Sequence, residues 1–226
     1  MTIPRPARPL SRRLFLGSTA VTVGTLSLTG FTATAGAAAP TGANAWTGST
    51  SGNGWPILTK ATTFRIEGSN QAVRLADGDA ATILLHVARR FHYEIDTLRD
   101  GDVVGFTPGR PVTQPFESNY LSGTAITIRS VCYPLGARGG FYPREQTVIR
   151  DILAELGKAV SWGGDEQVPK ESHFQIAHAP GHPAIRAAAQ RIRGWDDTPG
   201  GQGAGAVNAF DTDRLQAAHQ VPLRTR

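Results

Sequence analysis

Apolar residues recur at helical spacing in three stretches of the chain. These stretches cover residues 80–93, 143–156 and 184–193. In each of them the apolar side chains lie three or four residues apart, which places them on one face of a helix. Proline opens the second and third stretches, and glycine follows the second, as is common at helix boundaries. The pattern therefore predicts three amphipathic helices.

Segments rich in β-branched residues predict short strands around these helices. Residues 63–67 and 71–75 are separated by a Gly-Ser-Asn turn, so we expect them to form a hairpin. Residues 125–130, 159–163 and 173–178 predict three more strands. We therefore predict an α+β fold, in which a small central antiparallel sheet is flanked by helices.

The first 39 residues have the pattern of a twin-arginine export signal. Ser11-Arg12-Arg13-Leu14-Phe15-Leu16 precedes an uncharged apolar stretch, and small residues at 33–37 offer cleavage sites. Glycine and threonine interrupt the apolar stretch too often for a typical membrane span. We expect secretion to the cell envelope with no stable membrane span after cleavage, and a retained anchor is the alternative.

Composition divides the rest of the chain into three parts. Gly, Ser, Thr and Ala dominate residues 40–54, so we expect a flexible linker there. An ordered domain is predicted over 55–195. Glycine and proline dominate 196–226, which predicts a disordered tail with a short helix near 213–219.

The high isoelectric point comes mostly from the leader. It holds four of the 23 basic residues and no acidic residue, so 19 basic and 18 acidic side chains remain. Nucleic-acid binding requires a basic face, and we expect no such partner. The Arg89-Arg90 pair is expected on a solvated helix face. The single cysteine, Cys132, excludes an intrachain disulfide and is expected to be buried.

Two segments carry most of the functional information. They are Ser118-Asn-Tyr-Leu-Ser-Gly-Thr-Ala-Ile-Thr-Ile128 and Trp162-Gly-Gly-Asp-Glu-Gln-Val-Pro-Lys-Glu-Ser-His-Phe-Gln-Ile176. The residue types and their spacing in these segments, called the motif frame below, resemble those of the D-alanyl-D-alanine carboxypeptidases and related peptidoglycan endopeptidases. The pattern of that family is S-x-H-x-x-G-x-A-x-D, then W-G-G and [DE]-x-x-H-F-[EQ]-I. The positions that match this frame are Ser118, Gly123, Ala125, Trp162, Gly163, Gly164, Phe174 and Ile176.

The resemblance implies a hedgehog-like fold and a zinc site at positions that mostly differ here. In the family, His and Asp of the first motif and His of the second hold the metal. A carboxylate three residues before the second His is the general base. Those positions are Tyr120, Thr127, His173 and Lys170 in this chain, and only His173 keeps the family's residue.

The substituted residues are poorly suited to zinc chemistry. Tyr120 would have to bind as a phenolate, which is scarce near neutral pH, and Thr127 offers only a neutral hydroxyl. Lys170 is repelled by a dication and, while protonated, has no lone pair that accepts a proton. We therefore predict no catalysis and no resident cofactor, with zinc only if the protein is active.

Five further residues complete the candidate site. Glu171 is the candidate substitute base beside His173. The resemblance implies that an arginine upstream of the first motif steadies the peptide carboxylate, and Arg110 is the best match. The residues expected to shape the substrate groove are Ser118, Gly123 and Trp162.

These observations predict an exported, catalytically degenerate carboxypeptidase-like protein, a pseudoenzyme that binds peptidoglycan stem peptides of the cell wall. One alternative is an active zinc peptidase of cell-wall peptides with other ligands, for instance Glu171 and His178 together with His173. A second alternative is an exported domain that binds a partner unrelated to the cell wall.

Overall fold

The computed structural model describes residues 44–198 and 207–221, so the predicted export signal lies outside the described residues. None of the described helices is both long and apolar enough to cross a membrane. Within the described ranges the strands and α-helices are β1 Thr62–Arg65, β2 Ala72–Leu75, α1 Asp79–Glu94, β3 Val103–Val104, β4 Ala125–Ile128, α2 Pro143–Leu156, β5 Val160–Trp162, β6 His173–Ile176, α3 Pro183–Asp196 and α4 Thr212–His219.

The predicted helices and strands are confirmed, with small shifts at their ends. β1 and β2 form the expected antiparallel hairpin, with Thr62 opposite Leu75. α2 begins at a proline and ends at Gly157, as its sequence predicts. β3 is an additional strand of two residues in a segment without a strand pattern, and it pairs with β4. The molecule is an α+β protein with small antiparallel sheets and several helices.

The central sheet has the strand order β3-β4-β6-β5, and every pair in it is antiparallel. All residues of β4 and β6 are buried, because these strands lie in the middle of the sheet. Alternate residues of a strand face opposite sides. On one side the apolar residues join the hydrophobic core under the helices, and on the other side lie the more polar residues Ala125, Thr127, His173 and Gln175.

Residues 44–54, which the composition predicts as a flexible linker, make hydrogen bonds with the first motif. The backbone N–H of Gly52 donates to Ser118 Oγ at 2.7 Å. Asn53 Nδ2 donates to Thr124 Oγ1 at 2.9 Å. Buried polar groups of the first motif need partners, and this segment supplies them. Its Gly- and Ser-rich composition gives no sign of contacts that are so distant in sequence.

The tail contains the short helix that the sequence analysis predicted within it. The predicted short helix is confirmed as α4, which packs against α2. Its Arg214 pairs with Asp151 at 2.6 Å and with Glu155 at 2.5 Å. These ion pairs and the contact with α2 explain the order of a segment whose composition predicts disorder.

Arg90 is fully buried, which corrects the expectation that Arg89-Arg90 lies on a solvated face. Its guanidinium group donates to Glu94 at 2.6 Å, to Asp151 at 2.7 Å and to Glu155 at 2.8 Å. Burial alone would lower the pKa of Arg90, but the hydrogen bond to Glu94 and the nearby carboxylates raise it. The guanidinium therefore stays charged and joins α1 to α2.

The chain leaves the sheet abruptly after β4. Arg129 has a left-handed backbone conformation with φ 56°, which is uncommon for a residue with a side chain. The following turn carries Cys132 to the surface, so the prediction of a buried cysteine is wrong. The ion pair of Arg129 with Asp96 joins the end of β4 to the segment just after α1.

Arg90 gives a test of the helix packing. Replacing it with methionine would leave Asp151 and Glu155 buried with less compensating charge, and breaking a buried pair in this way costs about 3–5 kcal/mol. We expect Arg90→Met to lower the free energy of unfolding in denaturant by that amount. Exposed Arg144 on α2 is the matched control, and its change to methionine should stay within about 0.5 kcal/mol. Equal effects would contradict the role of Arg90.

Candidate functional site

The four positions that correspond to the family's metal ligands and base lie together. Tyr120 Oη is 2.7 Å from His173 Nδ1. Thr127 is the direct partner of His173 across the β4–β6 ladder. Lys170 Nζ lies 5.3 Å from the centroid of the Tyr120 ring. Segments that are up to 53 residues apart in sequence thus converge on one buried cluster.

Local backbone geometry positions Tyr120. It ends a 3-10 turn, Pro115–Tyr120, which is stabilised by reciprocal hydrogen bonds of Gln114 and Glu117 with the backbone at its start. Gly123 then turns the chain into β4 with φ 67°, a conformation that favours glycine. A Cβ atom at this position would lie 2.6 Å from the backbone nitrogen of Ala76.

Both ring nitrogens of His173 are engaged. Nε2 lies 2.8 Å from Gln175 Oε1, and Asn119 Nδ2 donates to the same oxygen at 2.5 Å. Since an amide oxygen only accepts, Nε2 carries the proton and donates. Nδ1 is then the acceptor, and the Tyr120 hydroxyl donates its hydrogen bond to it. The single lone pair that the neutral ring offers is therefore used inside the protein.

The protonation states agree with this arrangement. Burial lowers the pKa of His173 to about 3, and the nearby charge of Lys170 adds to the decrease. Burial raises the pKa of the Tyr120 phenol well above its usual range. The imidazole and the phenol are thus both neutral at neutral pH, and a phenolate ligand is disfavoured.

A buried ion pair lies beside this chain of hydrogen bonds. Lys170 Nζ donates to Glu117 Oε1 at 2.7 Å, and both side chains are almost fully buried. Burial alone would raise the pKa of Glu117, but its hydrogen bond with Lys170 lowers it. The carboxylate also accepts the backbone N–H of Thr113 at 3.0 Å. Lys170 thus holds the 3-10 turn to the loop before β6.

Arg110 forms the solvent-facing edge of the cluster. Its guanidinium carbon lies 4.3 Å from the centroid of the Tyr120 ring, and Nη2 lies 3.4 Å from Glu117 Oε1. The side chain is 26% exposed. The half-buried ring of Phe116 covers His173 at a centroid distance of 4.8 Å. A ligand from solvent would therefore meet Arg110 and Phe116 before the buried groups.

The side chains in this cluster do not fit a zinc ion. The imidazole lone pair is used by Tyr120, and two cations lie nearby, where a dication would be repelled. Thr127 offers only a neutral hydroxyl, which is a weak ligand. Among the described residues, no group of three or more His, Cys, Asp or Glu side chains is arranged to hold a metal.

Glu171, the candidate substitute base, is engaged elsewhere. Its carboxylate accepts the backbone N–H groups of Gly139 and Gly140, both at 2.7 Å, and the residue is buried. It thus fastens the glycine-rich loop that follows β4. His178 of the alternative zinc set stacks on His182, with their ring centroids 3.8 Å apart.

The three residues expected to shape a groove are structural supports. Ser118 is fully buried, and its hydroxyl donates to the carbonyl of Pro115 at 2.6 Å. Trp162 is buried, and its indole N–H donates to the carbonyl of Glu171 at 2.7 Å. Gly123 allows the turn into β4. All three residues are buried and support the backbone around the site, and their predicted role in shaping a substrate groove stays a prediction.

Sequence reasoning missed three residues of the cluster. Gln175 follows His173 by two positions on a strand, so their shared face was a signal that could have identified it. Glu117 and Asn119 lie beside Tyr120 on the 3-10 turn, where no simple periodicity predicts which side chains face inward. Their roles follow only from the long-range contacts with Lys170 and Gln175.

Comparisons with known proteins add no relative. No family model, curated protein or solved structure matches this chain. The chemistry of the site is therefore interpreted from its own geometry.

His173 should make the stability of the protein depend on pH. Its pKa is about 3 in the folded state and about 6.5 in the unfolded chain. Above pH 6.5 the ring is neutral in both states, and its contribution is complete. As the pH falls below 6.5 only the unfolded chain gains the proton, so stability decreases by up to about 1.4 kcal/mol per pH unit until the folded ring titrates.

The measurement is the free energy of unfolding in urea at several values between pH 6.5 and 4.5. Glu155, whose pKa the groups around it lower to about 2 against the effect of burial, starts to lose its own contribution near pH 4.5, but this loss is common to the wild type and the variant and cancels in their difference. We expect the wild type to lose about 2–3 kcal/mol more than the His173→Gln variant. The exposed His219→Gln variant is the control. Parallel curves for wild type and His173→Gln would contradict the buried neutral ring.

Proposed function

We propose that the chain is an exported, non-catalytic member of the D-alanyl-D-alanine carboxypeptidase-like proteins, with a hedgehog-like fold. Its zinc site is replaced by an internal cluster of hydrogen bonds and an ion pair. Its function is to bind peptides that end in a free carboxylate, with peptidoglycan stem peptides as the expected class. The observation that carries the proposal is the meeting of Tyr120, Thr127, Lys170 and His173 in one cluster.

This convergence supports the resemblance because the motif frame predicts it. In the resembled family these positions surround one metal ion, so the resemblance implies that they lie together. The two motif strands pair in the register that sets Thr127 against His173. The 3-10 turn adds the Tyr120 hydroxyl to the same ring. A chance match of the spacing would not require any of these contacts.

The absence of a base supports a binding role over hydrolysis. Lys170 occupies the family's base position, where it is paired with Glu117 and has no lone pair while protonated. Glu171 is held by two backbone N–H groups. General-base catalysis contributes about 10²–10⁴ in rate, and this cluster has no group placed to supply it.

Arg110 is the group that supports recognition of a carboxylate. Its contact with Glu117 is long, 3.4 Å, whereas Lys170 holds the same carboxylate at 2.7 Å. Arg110 can therefore turn toward a ligand while Glu117 stays neutralised. The guanidinium group of an arginine can donate two parallel hydrogen bonds to one carboxylate. Arg110 can therefore bind the carboxylate at the C-terminus of a peptide.

Peptide titration tests the binding role. We expect a stem pentapeptide ending in D-Ala-D-Ala to shift amide resonances around Arg110 at millimolar concentration, without release of D-alanine. Arg110→Ala should weaken the binding at least about tenfold, because a charge-assisted hydrogen bond contributes about 1.5–3 kcal/mol. Exposed Arg99→Ala is the matched control. Unchanged resonances, or release of D-alanine by the wild type, would refute the proposal.

A triple substitution tests the replacement of the metal site. Tyr120→His, Thr127→Asp and Lys170→Asp would restore the family's donor set around His173 and remove the repelling cation. We expect the folded triple variant to retain about one zinc per chain by elemental mass spectrometry, while the wild type retains none above background. The Arg99→Ala protein again serves as the control. A folded triple variant that takes up no zinc would show that the motif alignment is wrong.

A further inference from the structure

A surface cavity lies outside the buried cluster and shares no lining residue with it. Its volume is about 360 Å³, and it lies between the segment before β1, the end of β2 and the turn that leads into β4. Trp55, Leu58 and Leu75 form its apolar walls, and Pro56 and Pro180 narrow it. Small-molecule sites in proteins typically have volumes of about 300–1,000 Å³ and apolar walls with a few polar groups.

Two opposite charges line this cavity. Lys60 makes no ion pair with any described residue, and Asp77 accepts a hydrogen bond from the Thr62 hydroxyl at 3.0 Å. Lys60 and Asp77 form no ion pair with each other, and both are exposed at the cavity, so a ligand can reach both charges. The floor residue Ser122 donates its hydroxyl to the carbonyl of Asn119 at 3.1 Å. Charge recognition in the cavity therefore falls to Lys60 and Asp77.

The walls are held by contacts with the rest of the domain. The indole N–H of Trp55 donates to the carbonyl of His178 at 2.8 Å. The backbone N–H of Leu58 donates to the carbonyl of Leu121 at 3.0 Å. A cavity whose walls are already fixed loses little conformational entropy when a ligand enters, which favours binding.

We propose that this cavity binds a small zwitterion with an apolar side chain, of the class of apolar α-amino acids. The ligand's carboxylate pairs with Lys60, its ammonium group pairs with Asp77, and its side chain packs against Trp55. A ligand with a single charge can pair with only one of these two side chains, whereas a zwitterion can pair with both. This site is separate from the Arg110 edge and does not depend on the function proposed for it.

The test follows the indole N–H resonances of the four tryptophans in the full chain during titration with L-phenylalanine. The Trp55→Phe variant assigns the resonance of Trp55. We expect saturable shifts of this resonance with a dissociation constant of about 1 mM or lower. 3-Phenylpropanoate, which lacks the ammonium group, and phenethylamine, which lacks the carboxylate, should each bind at least about tenfold more weakly.

Charge variants complete the test. Lys60→Met and Asp77→Asn should each weaken binding of L-phenylalanine at least about tenfold, and exposed Lys158→Met should leave it unchanged. A Trp55 resonance that does not move at about 10 mM L-phenylalanine would overturn the site. Equal affinity for the zwitterion and its two single-charge analogues would overturn the assigned roles of Lys60 and Asp77, and with them the zwitterion class.

Discussion

The hydrogen bond between the Tyr120 hydroxyl and His173 Nδ1 is the interaction around which this site is organised. It requires a neutral imidazole and a neutral phenol, and burial favours both of these states. It also fixes the proton on Nε2, which can then donate to Gln175. One hydrogen bond thereby sets the tautomer of the histidine, orients the amide beyond it and joins the 3-10 turn to the sheet.

The ion pair of Lys170 and Glu117 lies beside this hydrogen bond. It connects the same two segments, the 3-10 turn and the loop before β6. A buried pair gives little net stability compared with apolar side chains, because removing both charges from water is costly. Losing one partner is much more costly, since it leaves a buried charge alone. The pair therefore specifies the arrangement of the two segments more than it stabilises the fold.

Local patterns in the sequence predicted the helices, the hairpin and the main strands, because the spacing of apolar residues reports directly which face is buried. The motif frame also predicted that Tyr120, Thr127, Lys170 and His173 meet. It did not predict the buried Arg90 or the anchoring of Asn53, since both depend on polar partners that are distant in sequence. A charged or glycine-rich segment has the same composition whether it is solvated or held by such partners.

The polar side of the central sheet explains why the substitutions at this site depend on one another. A buried polar group needs a partner, and both Tyr120 and Lys170 find theirs in the same cluster. The Tyr120 hydroxyl needs the lone pair of a neutral His173, and Lys170 needs the carboxylate of Glu117. A histidine at position 120 alone would still face the ammonium group of Lys170, and an acid at position 170 alone would lie beside Glu117 with no metal between them. Single changes at positions 120 and 170 therefore create unfavourable contacts between charges, so these residues depend on one another.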